Sequence, residues 1–569
     1  MKRFIVVMIM VLLVVGNLFS QVVSQRIIPL DSQVYSDMDL LYLITGDGTP
    51  SNARPWTITE AHMILERINR THLRGSASDL FDLIEQELST KVLFASSDDF
   101  LFDLGFTYNF EGYYHSNGQD FNRDTDWVYG FEDRKPMLKV DFTFALDPFF
   151  YSFTDLQYSR NRFTDRDDFT EMDGSAPGDI GSIIKNEIID GNYATIVNHS
   201  HIYSQQFMTN VLFPTYDIDF QTPKRALLSI GGSRWNFNLS RDKVRWGNGK
   251  SGNFIISDHV DYQEFARFSG FSDFFKYDLL YVFFETNYNT GEGTSADEEF
   301  RIFMAHRLEF RILDRLTFAV SENLMYKNDV LNLRYFNPAN IYHNLNNNSI
   351  FNAIAHVELD YSPLHGLNVY GQYVLDQAVA PNESQAQADA SGFLVGLEYA
   401  APLRFGILST SLEFAQTSPA LYRRDRVDFL MFRRYHGNGT SFISHVDYIG
   451  YEYGGDVQLL QFDANLRILP GTNLFVRAVG MHQGETNYFT SNEDVNDNRD
   501  PAPSGNVITE QGILSIGSSI ELPKFLSWMD TSAWVRMDMI GQRNFDRTTH
   551  TYSELRGDVQ LTFGMSLSL

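Results

Sequence analysis

Leu138-Lys139-Val140-Asp141-Phe142-Thr143-Phe144-Ala145-Leu146 decides the fold. Apolar side chains fall on every second residue, the period of a strand with two unlike faces. The same period runs upstream through Leu104, Phe106, Tyr108 and Phe110, which alternate with Gly105, Thr107, Asn109 and Glu111. Downstream it becomes hairpins. Leu308, Phe310 and Ile312 turn at Asp314 into Leu316, Phe318 and Val320, and Val357, Leu359 and Tyr361 turn at Pro363 to Gly366 into Leu367, Val369 and Tyr373. Phe393, Val395, Leu397 and Tyr399 pair with Leu408, Leu412 and Phe414, as Phe462, Leu466 and Ile468 do with Leu474, Val476 and Ala478.

The turns within these pairs are short, whereas the segments between pairs are long and polar. His115 to Trp127, Asn161 to Asn198, Thr286 to Glu299, Gln377 to Ala390, Tyr422 to Tyr453 and Glu485 to Val507 are rich in Asp, Asn, Gly and Ser and are expected as surface loops. Short turns at one end and long loops at the other are the asymmetry of an outer-membrane barrel. A soluble sandwich has the same alternation but no need of that asymmetry. Val559, Leu561, Phe563, Met565, Leu567 and Leu569 alternate to the last residue, as a barrel-closing strand read by the barrel-assembly machinery should. At about 10 residues per strand, residues 100–569 accommodate an all-β membrane barrel of roughly 16 to 18 antiparallel strands, even in number.

Composition agrees. The chain has 569 residues and no Cys, which excludes a disulfide-stapled domain and Cys-based metal sites. Its 72 Asp and Glu against 45 Lys and Arg give a net charge of -27, so nucleic acid is not the partner. A mean hydropathy of -0.24 is too polar for a helical membrane bundle, although 14% of residues are aromatic. Any membrane crossing must be made by strands.

Lys2 and Arg3 precede an apolar run from Phe4 to Val15, too short to span a bilayer and suited to a secretory signal. Val22 and Ser24 suit a signal peptidase, so residues 1–24 are expected to be removed. Residues 25–95 are expected to form a periplasmic head of three helices and 96–569 the barrel. Asp31 and Ser32 can cap a helix carrying Val34, Met38, Leu41 and Ile44 that Gly46 closes. Thr57 with Glu60 makes a capping-box pattern before Ala61, Ile64, Leu65 and Ile68. Ser76 with Asp79 repeats it before Leu80, Leu83, Ile84 and Leu88.

Catalytic patterns fail on inspection. Gly249-Lys250-Ser251 copies the tail of a phosphate loop, but Val244 stands where the first Gly belongs. His199, Ser200 and His201 fit a His-rich polar loop better than a hydrolase in a barrel wall. Asp120, Asn122, Asp124 and Asp126, like Asn492, Asp494, Asn496 and Asn498, alternate as calcium ligands can, but Thr125 and Phe131 stand where Gly and Glu are required. Both read as exposed acidic loops. No catalytic residue, metal or cofactor is expected.

The stretch from Ser240 to His259 stands apart. Arg241, Lys243, Arg245 and Lys250 place four cations in a strongly acidic chain, among Trp246 and Gly247, Gly249 and Gly252. Cations that pair with carboxylates, an indole that stacks on a sugar and glycines that open backbone amides suit an acidic polysaccharide. The alternative is an internal salt-bridge ladder lining the lumen.

Arg245-Trp246-Gly247-Asn248-Gly249, followed by Gly252-Asn253-Phe254-Ile255-Ile256-Ser257, resembles the tryptophan-glycine stretch and following strand of the capsule-assembly Wzi family. Pro29-Leu30-Asp31, Arg54-Pro55-Trp56 and His306-Arg307-Leu308-Glu309 extend the resemblance over nearly the whole mature chain. It implies a monomeric barrel in the bacterial outer membrane, bounded by lipid, with a periplasmic helical bundle. The implied activity is that of a lectin holding surface polysaccharide to the cell, not of an enzyme. Asp37 to Ile44, the Gly46 turn and Pro55 to Ile68 also resemble one S-layer-homology unit, which keeps a tethered carbohydrate porin as the second expectation.

Overall fold

The computed structural model describes residues 19–21, 23–92, 95–96, 100–163, 167–170, 193–194, 196–211, 218–219, 223–284, 300–328, 333–337, 339–342, 351–377, 388–424, 427–436, 442–488, 490, 492–522 and 529–569. Most of the expected signal segment 1–24 lies outside them, as do 286–299 and most of 161–198 and 377–390.

Eighteen long strands form the wall. They are β1 Phe100–His115, β2 Leu138–Leu146, β3 Phe150–Arg160, β4 Ala226–Gly231, β5 Trp235–Asp242 and β6 Gln263–Phe271. β7 Phe275–Phe283, β8 Phe300–Ile312, β9 Leu316–Asn328, β10 Phe351–Leu364, β11 Leu367–Gln377 and β12 Ala390–Leu403 follow. β13 Gly406–Thr417, β14 Val457–Ile468, β15 Thr472–Gln483, β16 Val507–Leu522, β17 Asp530–Asp546 and β18 Arg556–Ser568 complete the set. Each pairs antiparallel with the next in the chain, and β18 pairs with β1, placing Leu561 beside Tyr114 and Met565 beside Phe110. The barrel is therefore closed, and no edge is left to recruit another chain. The expected hairpins hold their register, with Phe310 opposite Phe318 and Leu397 opposite Leu412.

The apolar face points outward. Leu359, Val395, Leu412 and Leu460 remain 46–51% exposed on the outer wall, as do Phe106, Tyr108 and Phe110 on β1 at 36–42%. Such a belt is stable only where lipid replaces water. The inward residues of β1, Asn109, Glu111, Tyr113 and His115, are all buried, so the lumen beside them is packed and polar.

Three helices stand at the short-turn end: α1 Gln33–Thr45, α2 Ile58–Glu66 and α3 Ser76–Leu88. Ser32 caps α1 by accepting from Val34 N, and Gly46 ends it at φ 71°. Thr57 caps α2 through Glu60 N, but the Glu60 carboxylate turns to Lys276 at 2.5 Å instead of closing a capping box. The third cap differs from expectation: Ser76 already lies inside α3, and the preceding Gly75 carries no side chain to bond the helix. Met38, Leu41, Ile64, Leu65, Leu80, Ile84 and Leu88 form one buried cluster that includes Ala400 and Ile407 of the wall. Each such aliphatic side chain contributes about 1.5–3 kcal/mol on burial, so helices too short to stand alone are held by packing.

Two expected surface loops are more ordered than their composition suggests. Within Tyr422 to Tyr453, Leu430–His436 pairs with Phe442–Tyr448, and Leu430, Met431 and Ile449 enter the central core. In the segment after β1, Asp124 is buried and bonded to Arg162 at 2.5 Å, so it is no part of an exposed acidic loop.

Candidate functional site

The connection between β5 and β6, residues 243–262, leaves the long-loop end and turns into the lumen. Val244, Trp246, Phe254, Ile256 and Val260 on it are at most 1% exposed. From the other end the segment between α1 and α2 rises to meet it. Arg245 and Trp246 pair antiparallel with Arg54 and Ala53, and Gly247 N donates to the Asn52 carbonyl at 3.1 Å. Two plugs thus enter from opposite ends and join as one small ladder.

The wall grips the joint with buried ion pairs. Arg267 donates to the Pro55 carbonyl at 2.5 Å and to Asp278 at 2.7 Å, while Lys276 reaches the Ala53 carbonyl at 2.7 Å. Asn52 donates to Glu358 at 2.7 Å, which also takes Arg307 at 2.9 Å, and Arg467 bonds Asp37 at 2.9 Å. Backbone that would otherwise be orphaned in the lumen is satisfied in this way.

Of the five residues singled out in the sequence, Arg241 stands on β5 and Lys243, Arg245, Trp246 and Lys250 sit along this plug. Trp246 is 0% exposed and its indole N–H meets no acceptor among the described residues, so it packs the core and offers no face to a sugar from outside. Arg241 bonds Glu264 and lies 4.7 Å over the Tyr262 ring. Arg245 stands 3.6 Å from Asp258, and Lys250 bonds Glu398 at 2.6 Å. The amides that glycine opens are also occupied: Lys250 N and Ser251 N each donate at 2.8 Å to Glu413, which also accepts from the Ser251 and Tyr370 hydroxyls. A carboxylate of the chain itself fills the anion nest. Lys243, half-buried, makes no ion pair with any described residue. The sequence-derived set is therefore brought together, with most of its cations already partnered. Two glycines make the turn possible. Gly247 has φ 121° with Asn253 Oδ1 2.2 Å from where a Cβ would stand, and Gly252 has φ 137° against the Tyr451 ring.

Two clefts flank the plug. One of about 380 Å³ lies between the plugs, lined by Asp39, Arg54, Arg245, Lys250, Asp360 and Glu398. The other, of about 560 Å³, is lined at the long-loop side by Tyr113, Phe131, Arg134, Lys135, Arg160 and Lys224, among others. Reading the sequence alone misses this second cleft. Its one local signal is the pair Arg134-Lys135 ahead of Pro136, two adjacent cations in an otherwise acidic stretch.

Comparison with known proteins bears on the whole architecture. The structure of Wzi, described as an outer-membrane protein involved in group 1 capsule assembly in Escherichia coli and as a carbohydrate-binding β-barrel, matches with a TM-score of 0.52. Identity is 12%, over 95% of this chain and 98% of that one. The chain has a Wzi-like fold. Likeness to OccK11 (OpdR) of Pseudomonas aeruginosa is lower, with a TM-score of 0.38 at 9% identity over 83% of this chain and 98% of that one. No family model and no curated protein matches the sequence. A closed Wzi-like barrel of eighteen strands with an apolar outer belt resides in the bacterial outer membrane.

Proposed function

We propose that this barrel is a non-enzymatic lectin of the outer membrane, a monomer that holds surface polysaccharide at its long-loop end during assembly of the cell-surface layer. In this reading residues 1–24 are a cleaved signal, 25–95 a periplasmic head and 96–569 the lipid-bounded barrel inserted by the assembly machinery. One observation carries it: the plug 243–262 and the head segment around Ala53 pair with each other inside the lumen. A carbohydrate porin needs an open path, whereas an anchor needs only an outer surface. The named likeness to a carbohydrate-binding barrel supports the same reading. Arg241, near the long-loop end of β5, and Lys243, at the start of the plug, would add charge to the glycan surface. Arg245, Trp246 and Lys250 would act by keeping the plug in place.

Deletion of the gene tests the proposal. Cells lacking the protein should release polysaccharide into the medium while total production is unchanged. Undiminished retention on the cell would overturn it.

A further inference from the structure

The cleft at the long-loop side is unlike its surroundings in charge. In a chain of net charge -27, four of its lining side chains are cations, Arg134, Lys135, Arg160 and Lys224, and one is an acid, Asp261, which Lys224 holds at 2.7 Å. Arg134 is set in an aromatic cage, 4.3 Å from the Tyr113 ring centre, 4.9 Å from Tyr203 and 5.0 Å from Trp127. Its Nε and Nη2 have no hydrogen-bond partner among the described residues. Lys135 is exposed, its ammonium 6.0 Å from the Trp534 ring centre and within electrostatic reach of Glu111.

These two cations are held in place through their backbone. Lys135 N donates to Glu111 at 2.8 Å, its carbonyl accepts from Asn210 at 3.1 Å, and the Pro136 carbonyl accepts from Asn109 at 2.7 Å. Three groups of the β1 side of the lumen thus fix a short loop whose two cations face aromatic rings. Placing charge this way reduces the ordering cost of binding. Phe131 also lines the cleft, its ring already under Arg162 at 5.0 Å and Lys224 at 5.6 Å, while Gln157 and Ser159 add groups that can bond hydroxyls.

We infer that this cleft takes an acidic sugar residue of the bound polysaccharide, its carboxylate at Arg134 and Lys135 and its hydroxyls toward Gln157 and Ser159. A carboxylate suits two adjacent cations, and the sugar hydroxyls suit the amide and hydroxyl lining. The inference rests on the polysaccharide-binding reading above and adds the sugar class and the place.

The test uses the full-length barrel in detergent with two probes of equal length, an oligogalacturonate and a neutral malto-oligosaccharide, followed by calorimetry. The acidic oligomer should bind at least about ten-fold more tightly than the neutral one, and added salt should erode that preference. Lys135→Gln should lose about ten-fold for the acidic probe and Lys135→Arg should restore it, with folding checked by heat-modifiability. Arg134→Gln should lose at least as much; should it misfold, the exposed Lys135 pair still decides the matter. Equal binding of the acidic probe by wild type and Lys135→Gln would overturn the assignment. Displacement of the oligogalacturonate by inorganic phosphate at the same low concentration as by free galacturonate would also overturn it, showing a general anion site. Retention assays on cells carrying Lys135→Gln separate the two levels: polysaccharide still held, with the acidic probe lost in vitro, would refute the cleft as the anchor while leaving the lectin reading intact.

Discussion

The two plugs that meet in the lumen are built on different principles. The head is a small helical unit with its own apolar cluster around Met38, Leu41, Ile64 and Ile84. The plug 243–262 has almost no regular structure, and its side chains are buried only because the wall surrounds them. Trp246, Phe254 and Ile256 belong to the same core as Phe303 and Leu394, which stand on β8 and β12. One plug is held by periodic sequence and packing, the other by long-range contacts and glycine turns. The two should therefore fail differently.

The largest effect is expected where the wall grips the head segment through one buried pair. Arg267→Leu removes the donor to the Pro55 carbonyl and one of two to the Ala53 carbonyl, and leaves Asp278, which is 1% exposed, with only Lys276 at 3.6 Å and the Ser269 hydroxyl. Breaking such a pair typically costs about 3–5 kcal/mol, so limited proteolysis should cut the chain between head and barrel while the wall keeps its heat-modifiability. Trp246→Ala, a large deletion in a dry core, should cost about 3–5 kcal/mol of plug packing and loosen only the 243–262 side. Trp235→Ala is its counterpart on the outer wall. That side chain is 46% exposed, and its loss should leave both plugs protected. Equal protease patterns for the two tryptophan variants would break the distinction between inner and outer faces.

Smaller effects sharpen the comparison. Gly247→Ala, at a φ only glycine adopts easily and with Asn253 in the way, should weaken the plug by more than about 1 kcal/mol. Its signature is increased protease access to 243–262 with the head unchanged. On the head, burial, and next the charge of Asp37, lift the Glu87 carboxyl to about 7. An undocked head loses that proton near 4.5, its ordinary value, whereas the docked head keeps it up to about 7. Docking should accordingly weaken as pH rises through that window. Glu87→Gln should flatten the dependence, measured as head release against pH.

The strands and the head were legible in the sequence because each follows a local period. Leu138 to Leu146 alternates over a single strand, and Val34, Met38 and Leu41 recur within one helix. What stayed hidden depends on residues far apart. Gly249-Lys250-Ser251 does form an anion nest, but its occupant, Glu413, lies more than a hundred residues away on β13. Nothing local distinguishes a carboxylate of the chain from one on a ligand. The same cause hid the burial of Trp246 and the pairing of Leu430–His436 with Phe442–Tyr448. The cleft at Arg134 escaped because its cage comes from Tyr113, Trp127 and Tyr203, brought together only when β1 closes against the segment before β4.

The joint between Arg245-Trp246 and Ala53-Arg54 is the centre of this account, and planar-bilayer recording of the purified barrel tests it most directly. A lumen filled by two paired plugs predicts no large, steady conductance from the wild type, and openings in Trp246→Ala as the plug loosens. Large stable steps from the wild type, together with sugar uptake into vesicles carrying it, would contradict the account and make the barrel a porin.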